Sequence, residues 1–200
     1  TLLLLDHLES PSFTLAMAAL LHDIGKPATQ TFEDRIRFNQ HEKIGAEMTK
    51  SICKRLRLSN AETDRIAWLV EQHMRMAVAP ERRESKRKRL GREEGFQELL
   101  KLMRVDCLAS HGDLSTYAWL KDYLENIPPE EVRPAPLITG HDLIELGYPP
   151  GPVFKESLTT LEDKQLEGEI DQRDTALDFG RETWPSTPPD EPPRSAAEAV

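Results

Sequence analysis

Three histidines and two aspartates stand where this chain could do chemistry. His22 lies on an i, i+3, i+4, i+7 stripe with Leu15, Ala18 and Ala19, which places its imidazole among core side chains. His41 is in line with Ile44, Met48 and Ile52, and His73 continues Ile66, Leu69 and Val70. Asp106 continues Phe96, Leu99 and Met103, and Asp23 follows His22 where its helix is about to break. One inward histidine is most simply a satisfied core imidazole, but a buried aspartate is costly unless it meets a cation or several donors. If the four helices pack as a bundle, these groups converge, and a divalent metal ion is the simplest thing that satisfies them all. Imidazole nitrogens with carboxylate oxygens suit Zn, Fe, Mn, Ni or Co, and carboxylate-rich open sites also tolerate Mg. Such an ion would activate water and polarise a phosphoryl oxygen, so hydrolysis of a phosphoester is the chemistry expected.

The elements that must hold these residues are helical almost throughout. A helix tail over Leu2, Leu5 and Leu8 is interrupted by Ser10-Pro11-Ser12. A second helix starts at Ser12 and runs to His22, ended by Gly25 and Pro27. Residues 29–38 read as a short irregular or hairpin-like piece, and 41–57 as a third helix. Ser59-Asn60-Ala61-Glu62 is a capping box opening a fourth helix that runs to about Ala79. Residues 94–110 and 114–126 are amphipathic, and Pro128, Pro129, Pro134 and Pro136 form a stiff connector. Shorter helices follow to 183. From 184 the chain is rich in Pro, Ser, Asp and Glu and reads as a disordered tail. The expected organisation is an all-α bundle over 1–127, a smaller helical region over 128–183, and the tail over 184–200.

Two hundred residues suffice for one domain with a small appendage. No apolar run approaches the roughly 18 residues a membrane span needs, so no membrane partner is expected. Cys53 and Cys107 form no CxxC pair, which argues against a structural zinc module or disulfide scaffold and fits a reducing, cytoplasmic setting. The first residue is Thr1, which suggests a fragment of a longer protein. The net charge of −9 at face value disfavours nucleic acid. Its distribution does not. Residues 1–141 carry 21 basic and 21 acidic side chains, and residues 142–200 carry 5 and 14. Within 75–92, Arg75, Arg82, Arg83, Lys86, Arg87, Lys88, Arg89 and Arg92 face only Glu81 and Glu84. That segment is either a solvated loop or a surface for RNA phosphates. It contains no aromatic residue, so binding there should be sequence-blind and salt-dependent.

Leu20-Leu21-His22-Asp23-Ile24-Gly25-Lys26-Pro27 resembles the centre of an HD domain, the all-helical metal-dependent phosphohydrolase fold. The resemblance implies that His22 and Asp23 are the ligand doublet and Asp106 the distal aspartate. It also implies that His41 and His73 occupy the positions of extra ligands in two-metal members. The family's first histidine would fall just before Thr1, and His7 is taken for a surface residue. The wider pattern is similar to the HD half of bacterial tRNA nucleotidyltransferases and poly(A) polymerases. It comprises Phe38-Asn39-Gln40-His41-Glu42, Asp106-Cys107-Leu108-Ala109-Ser110, and Gly140-His141-Asp142-Leu143-Ile144 with Pro149-Pro150-Gly151-Pro152. Gln165-Leu166-Glu167-Gly168 and Arg173-Asp174-Thr175-Ala176-Leu177 complete it. The Gly-Ser and Asp-x-Asp motifs of that family's catalytic head are not found, so an upstream nucleotidyltransferase head is expected in the parent chain.

Other residues have plainer readings. His141-Asp142 is a second doublet, but Asp142 reads as a helix N-cap. His111 belongs to a turn or stands behind Asp106, and Cys107 is a small core residue. Lys26, three residues past Asp23, could face a substrate phosphate or be solvated at a helix end. Asp23 and Lys26 are thus the catalytic candidates. Three functions follow: an RNA-handling body that holds tRNA, a phosphohydrolase acting on nucleotides, or a degenerate bundle serving as a scaffold.

Overall fold

Ser12 opens the first long helix by accepting the Leu15 N–H at 3.2 Å, which satisfies one of the amides a helix start leaves unpaired. The computed structural model describes residues 1–148 and 151–184, with the backbone alone at 152 and 153. Two compact units are described. The first, residues 1–83 and 87–128, contains α1 Leu2–Asp6, α2 Phe13–Leu21, α3 Lys26–Thr29, α4 His41–Arg55, α5 Asn60–Gln72, α7 Phe96–Ala109 and α8 Ser115–Asn126. Helix α6, Glu84–Gly91, has its last residues in this unit. The second unit, 84–86 and the described residues from 129 on, contains α9 Pro129–Val132, α10 Gly140–Glu145, α11 Pro152–Leu166 and α12 Arg173–Thr183. The all-helical expectation holds.

In the first unit α5 packs between α2 and α4, and α7 lies against α1, α2 and α5. Leu15, Ala18, Ile66, Leu69, Val70, Leu99, Leu102 and Val105 form its core. The hairpin reading of residues 29–38 also stands. β1 Gln30–Phe32 pairs antiparallel with β2 Ile36–Phe38, Thr31 opposite Arg37. The capping box at the start of α5 is made as expected: Ser59 Oγ accepts the Glu62 N–H, and Glu62 accepts the Ser59 N–H at 2.9 Å.

Four expectations need correction. Helix α5 stops at Gln72, not near Ala79, because the His73 ring donates to the Val70 carbonyl and occupies the acceptor of the next helical turn. Two tight 3-10 turns follow, His73–Arg75 and Ala79–Glu81, with Met76 and Ala79 buried. On α4 the inward face is His41, Gly45, Ala46, Thr49 and Cys53, while Ile44 is exposed. Small side chains face in because α4 approaches α5 closely; a Cβ on Gly45 would lie 3.3 Å from Val70 Cγ1. The basic segment is no loop, since residues 84–91 form α6.

Asp142 is the fourth correction. It is the third residue of α10 and reaches back to accept the Thr139 N–H and hydroxyl at 2.6 and 2.8 Å. Arg173 donates to its other oxygen, and these partners hold its carboxyl well below the usual range. His141 is exposed beside Glu145. Ile138, Leu143, Leu161 and Ala176 pack the core of this unit, with the Tyr148 hydroxyl donating to the Gly180 carbonyl. Trp184, expected to begin the tail, packs edge-on against Phe179 with ring centroids 5.5 Å apart. The rest of the tail, and Pro149-Pro150, lie outside the described residues. Among the described residues no helix is long and apolar enough to cross a membrane.

Leu69 is fully buried in α5, so Leu69→Ala should cost about 2–5 kcal/mol of stability in a urea titration. Ile144→Ala, on an exposed position, should change stability by no more than about 0.5 kcal/mol.

Candidate metal centre

Each of the three inward histidines is aimed by a backbone carbonyl three residues before it. The Nδ1 atoms of His22, His41 and His73 lie 2.9 Å from the Ala19 oxygen, 2.8 Å from the Phe38 oxygen and 2.6 Å from the Val70 oxygen. A carbonyl only accepts, so each Nδ1 carries the proton and donates it. Each Nε2 is therefore left to face the interior of the bundle. The elements make this possible: α2 ends at Leu21 and places His22 at its C-terminus, β2 brings the Phe38 carbonyl to the start of α4, and α5 ends beside His73.

Asp23 ties the three together through its two oxygens. Oδ2 is 3.3 Å from His22 Nε2 and accepts from Lys26 Nζ at 2.6 Å. Oδ1 is 3.5 Å from His41 Nε2 and 3.9 Å from His73 Nε2. Asp106, on α7, brings Oδ1 to 3.4 Å from His22 Nε2. Its side chain keeps 42% of its surface exposed, so it stands at the mouth of the site rather than in the core stripe expected for it. All five predicted ligands thus meet at one place. Lys26 meets them too, half-exposed, with its ammonium 5.7 Å from the centre of the Phe38 ring.

Gly25 matters beyond ending a helix. A Cβ there would lie 2.1 Å from the His41 carbonyl oxygen and 2.7 Å from the Gly45 nitrogen. Only a bare backbone lets the turn after His22-Asp23 rest on the first turn of α4. The sequence signalled Gly25 as a helix stop but gave no sign of this approach.

One contact bears directly on whether the donor set suits a metal ion. His41 Nε2 and His73 Nε2 lie 3.2 Å apart, and both are lone-pair atoms because both Nδ1 atoms donate to carbonyls. Two facing lone pairs are satisfied by a cation between or beside them. Burial pushes His73 below its ordinary pKa, and the neighbouring His22 and His41 add to this. Asp23, His41 and His73 place one ligand atom each within 4.8 Å of one another, which fits a divalent ion. For His22, burial opposes protonation, but hydrogen bonds to Asp106 and Asp23 outweigh it and raise its pKa to about 9. Burial works against the Asp23 carboxylate, yet His22 and Lys26 hold its pKa well below the ordinary value. His22 likewise lowers that of Asp106.

The other sequence candidates go elsewhere. His111 is exposed in the turn after α7, where its Nδ1 accepts the Asp113 N–H. His7 is half-buried and lines a separate cavity of about 320 Å³ with Lys101, Arg104 and Tyr117. Cys107 is buried in the core. The eight basic residues do not form one surface. Arg75 is paired with Glu93 at 2.8 and 3.0 Å, and Lys88 is buried. Arg89 and Arg92 are half-buried and already engaged. Arg87 lies over Trp119 and Tyr123. Arg82, Arg83 and Lys86 remain exposed.

Residues 2–110 match the family described as the HD domain. The chain is 33% identical over 187 residues to the CC-adding tRNA nucleotidyltransferase of Thermus thermophilus, covering 88% of this chain and 43% of that protein. It is 32% identical over 196 residues to the A-adding tRNA nucleotidyltransferase of Deinococcus radiodurans, covering 92% and 45%. A bifunctional uridylyltransferase/uridylyl-removing enzyme of Xanthomonas oryzae pv. oryzae is 37% identical over 70 residues, 35% of this chain and 7% of the enzyme. The chain therefore spans less than half the length of the two tRNA-modifying relatives.

The geometry sets a pH signature for the metal-free protein. The pKa of His22 is raised from 6.5 to about 9 on folding. Its contribution to stability is therefore complete below pH 6.5 and lost as pH rises through 9. Metal-free protein should melt at progressively lower temperature over that window, and protein loaded with Zn or Mn should not. Calorimetry in buffers of different ionisation enthalpy should register close to one proton released at pH 7 as metal fills the His22 side. In Gly25→Ala the clash with α4 should abolish metal uptake.

Proposed function

This chain belongs to the HD-domain family, and we propose that it is the metal-binding, RNA-holding half of a tRNA nucleotidyltransferase-type protein, with a metal-dependent phosphohydrolase site of its own. The convergence of three Nε2 atoms on Asp23, with Asp106 beside His22, is the observation that carries the hydrolytic reading. His22, Asp23 and Asp106 would hold one divalent ion, and His41, His73 and Asp23 a second. Metal of this kind supplies Lewis acidity toward a phosphoryl oxygen and lowers the pKa of water.

The chain's own residues prepare that chemistry. The carbonyls of Ala19, Phe38 and Val70 fix tautomer and ring orientation, which keeps the nitrogen lone pairs from turning away. Lys26 balances the charge of Asp23 and, at the rim, has further N–H donors to offer a phosphate oxygen. The half-exposed Asp106 marks the open side by which a phosphoester would enter. A substrate of the nucleotide class, such as a 2′,3′-cyclic phosphate or an RNA end, agrees with the tRNA-modifying relatives. The name of the uridylyl-removing relative also fits hydrolysis at a nucleotidyl phosphoester. An upstream nucleotidyltransferase head in the parent chain belongs to the same proposal, as does tRNA as the partner of the exposed cations.

Two measurements test the reading. Protein supplied with Mn, Co or Ni should hydrolyse a 2′,3′-cyclic nucleotide, and Asp23→Asn should lower that rate by about 100-fold or more. Inactivity with every ion, in protein shown to bind the metal, would remove the hydrolytic role. For RNA holding, Arg82→Glu, Arg83→Glu and Lys86→Glu together should weaken tRNA binding and reduce the salt slope by about two to three. The same reversal at 87–89 is a poorer test, because Lys88 is buried and Arg87 is packed.

A further inference from the structure

On α8, Trp119 and Tyr123 stack one helical turn apart, with ring centroids 5.3 Å apart and planes 10° from parallel. The Arg87 guanidinium from α6 covers the pair at 5.6 and 5.1 Å from the two ring centres. The arrangement is built. Arg87 Nη1 donates to the Pro80 carbonyl at 3.3 Å, which anchors the guanidinium to the second 3-10 turn. One turn further on, Gly91 lets α6 close on α8, since a Cβ there would sit 2.6 Å from Leu124 Cδ2. Trp119 nevertheless keeps 38% of its surface exposed, an unusual state for a tryptophan already in an aromatic stack. Arg82 and Arg83, exposed directly after that 3-10 turn, make no ion pair among the described residues.

We propose that Trp119, backed by Tyr123 and Arg87, is a stacking site for an unpaired nucleobase of an RNA chain, whose flanking phosphates are met by Arg82 and Arg83. A flat aromatic face rigidly backed by a second ring and a guanidinium accepts any base without hydrogen-bond readout, and the exposed Arg82 and Arg83, which follow the 3-10 turn that anchors Arg87, suit a phosphodiester backbone. A helical duplex hides its base faces, so the site selects single-stranded RNA over paired RNA. This deepens the RNA-holding reading above and rests on it, but it is independent of the metal centre. The basic segment itself contains no aromatic residue; its aromatic partners lie about thirty residues further along the chain.

The test uses the full chain and three fluorescently labelled probes: a single-stranded decamer of adenosines, the same length with abasic positions, and a duplex of equal length. Anisotropy should show the adenosine strand bound about tenfold or more tightly than the abasic strand. Trp119→Ala should erase that difference, Trp119→Phe should keep most of it, and thermal melts should show both variants folded. Arg82→Glu with Arg83→Glu should weaken all probes alike while the preference for bases persists. Equal binding of adenosine, abasic and duplex probes would leave RNA holding in place and overturn the stacking site. Binding of no probe would overturn both. The abasic comparison needs no variant, so it decides the matter even if Trp119→Ala unfolds.

Discussion

The structure of the first unit depends on one arrangement: two imidazole Nε2 atoms held 3.2 Å apart with their lone pairs facing each other. Nothing in an apolar core favours that contact. It persists because each ring is fastened at its other nitrogen to a carbonyl that belongs to a different element end, Phe38 at the close of β2 and Val70 near the close of α5. The hairpin, the early stop of α5 and the glycine at position 25 all make sense as conditions for this contact. A longer α5 would direct the Val70 carbonyl into the helix and free the His73 ring, and any side chain at Gly25 would push α4 and His41 away. Where ordinary packing would end a helix by propensity, here helix ends serve as ring-orienting acceptors.

Electrostatics explain how so much polarity survives inside a bundle. Asp23 is half-buried, and its two oxygens face opposite groups: His22 and Lys26 on one side, His41 and His73 on the other. Burial alone would raise its pKa and neutralise it, but hydrogen bonds to His22 and Lys26 win and keep it anionic. His22 is protonated by the same balance, since two carboxylates outweigh its own burial. The two sides of Asp23 thus differ: one oxygen meets His22 and Lys26, and the other faces the His41–His73 pair. On the reading proposed above, an ion on the His22 side must displace a proton.

Much of this was legible in the sequence because chemistry-bearing residues broke the apolar periodicity. Counting along the helices places His22 and His73 inward, though Asp106 stands at the rim and not in its core stripe, and the capping box at Ser59 and Glu62 marks the start of α5. On α4 the count fails at Ile44, which is exposed, while Ile52 packs against the core only in part. The buried face is instead one of small residues, because close helix approach favours Gly45 and Ala46 over bulk. Asp142 was misplaced by three positions for a related reason. Thr139 and Asp142 both suit a helix start, and the carboxylate reaches back from the third helical position to cap it. Backbone acceptors, the contact of Gly25 with α4, and the stack of Arg87 on α8 join distant segments. No local pattern in the sequence encodes them.

Charge was the least reliable guide, first as a sum and then as a segment. The net −9 conceals a neutral body, and the basic run of 75–92 conceals a division of labour. Of its cations, Arg75 is paired, Lys88 is buried, Arg87 is stacked and only three are exposed. Folding the run into α6 therefore turns a diffuse electrostatic patch into a small surface with an aromatic centre. The segment between His73 and Arg82 joins that surface to the metal centre. It carries His73 in its first 3-10 turn and the acceptor of Arg87 in its second, with Met76 and Ala79 buried between them. If the chain holds RNA and hydrolyses a phosphoester as proposed above, this connector sets a fixed spacing between the two sites, which is a physical reason to place both in one bundle.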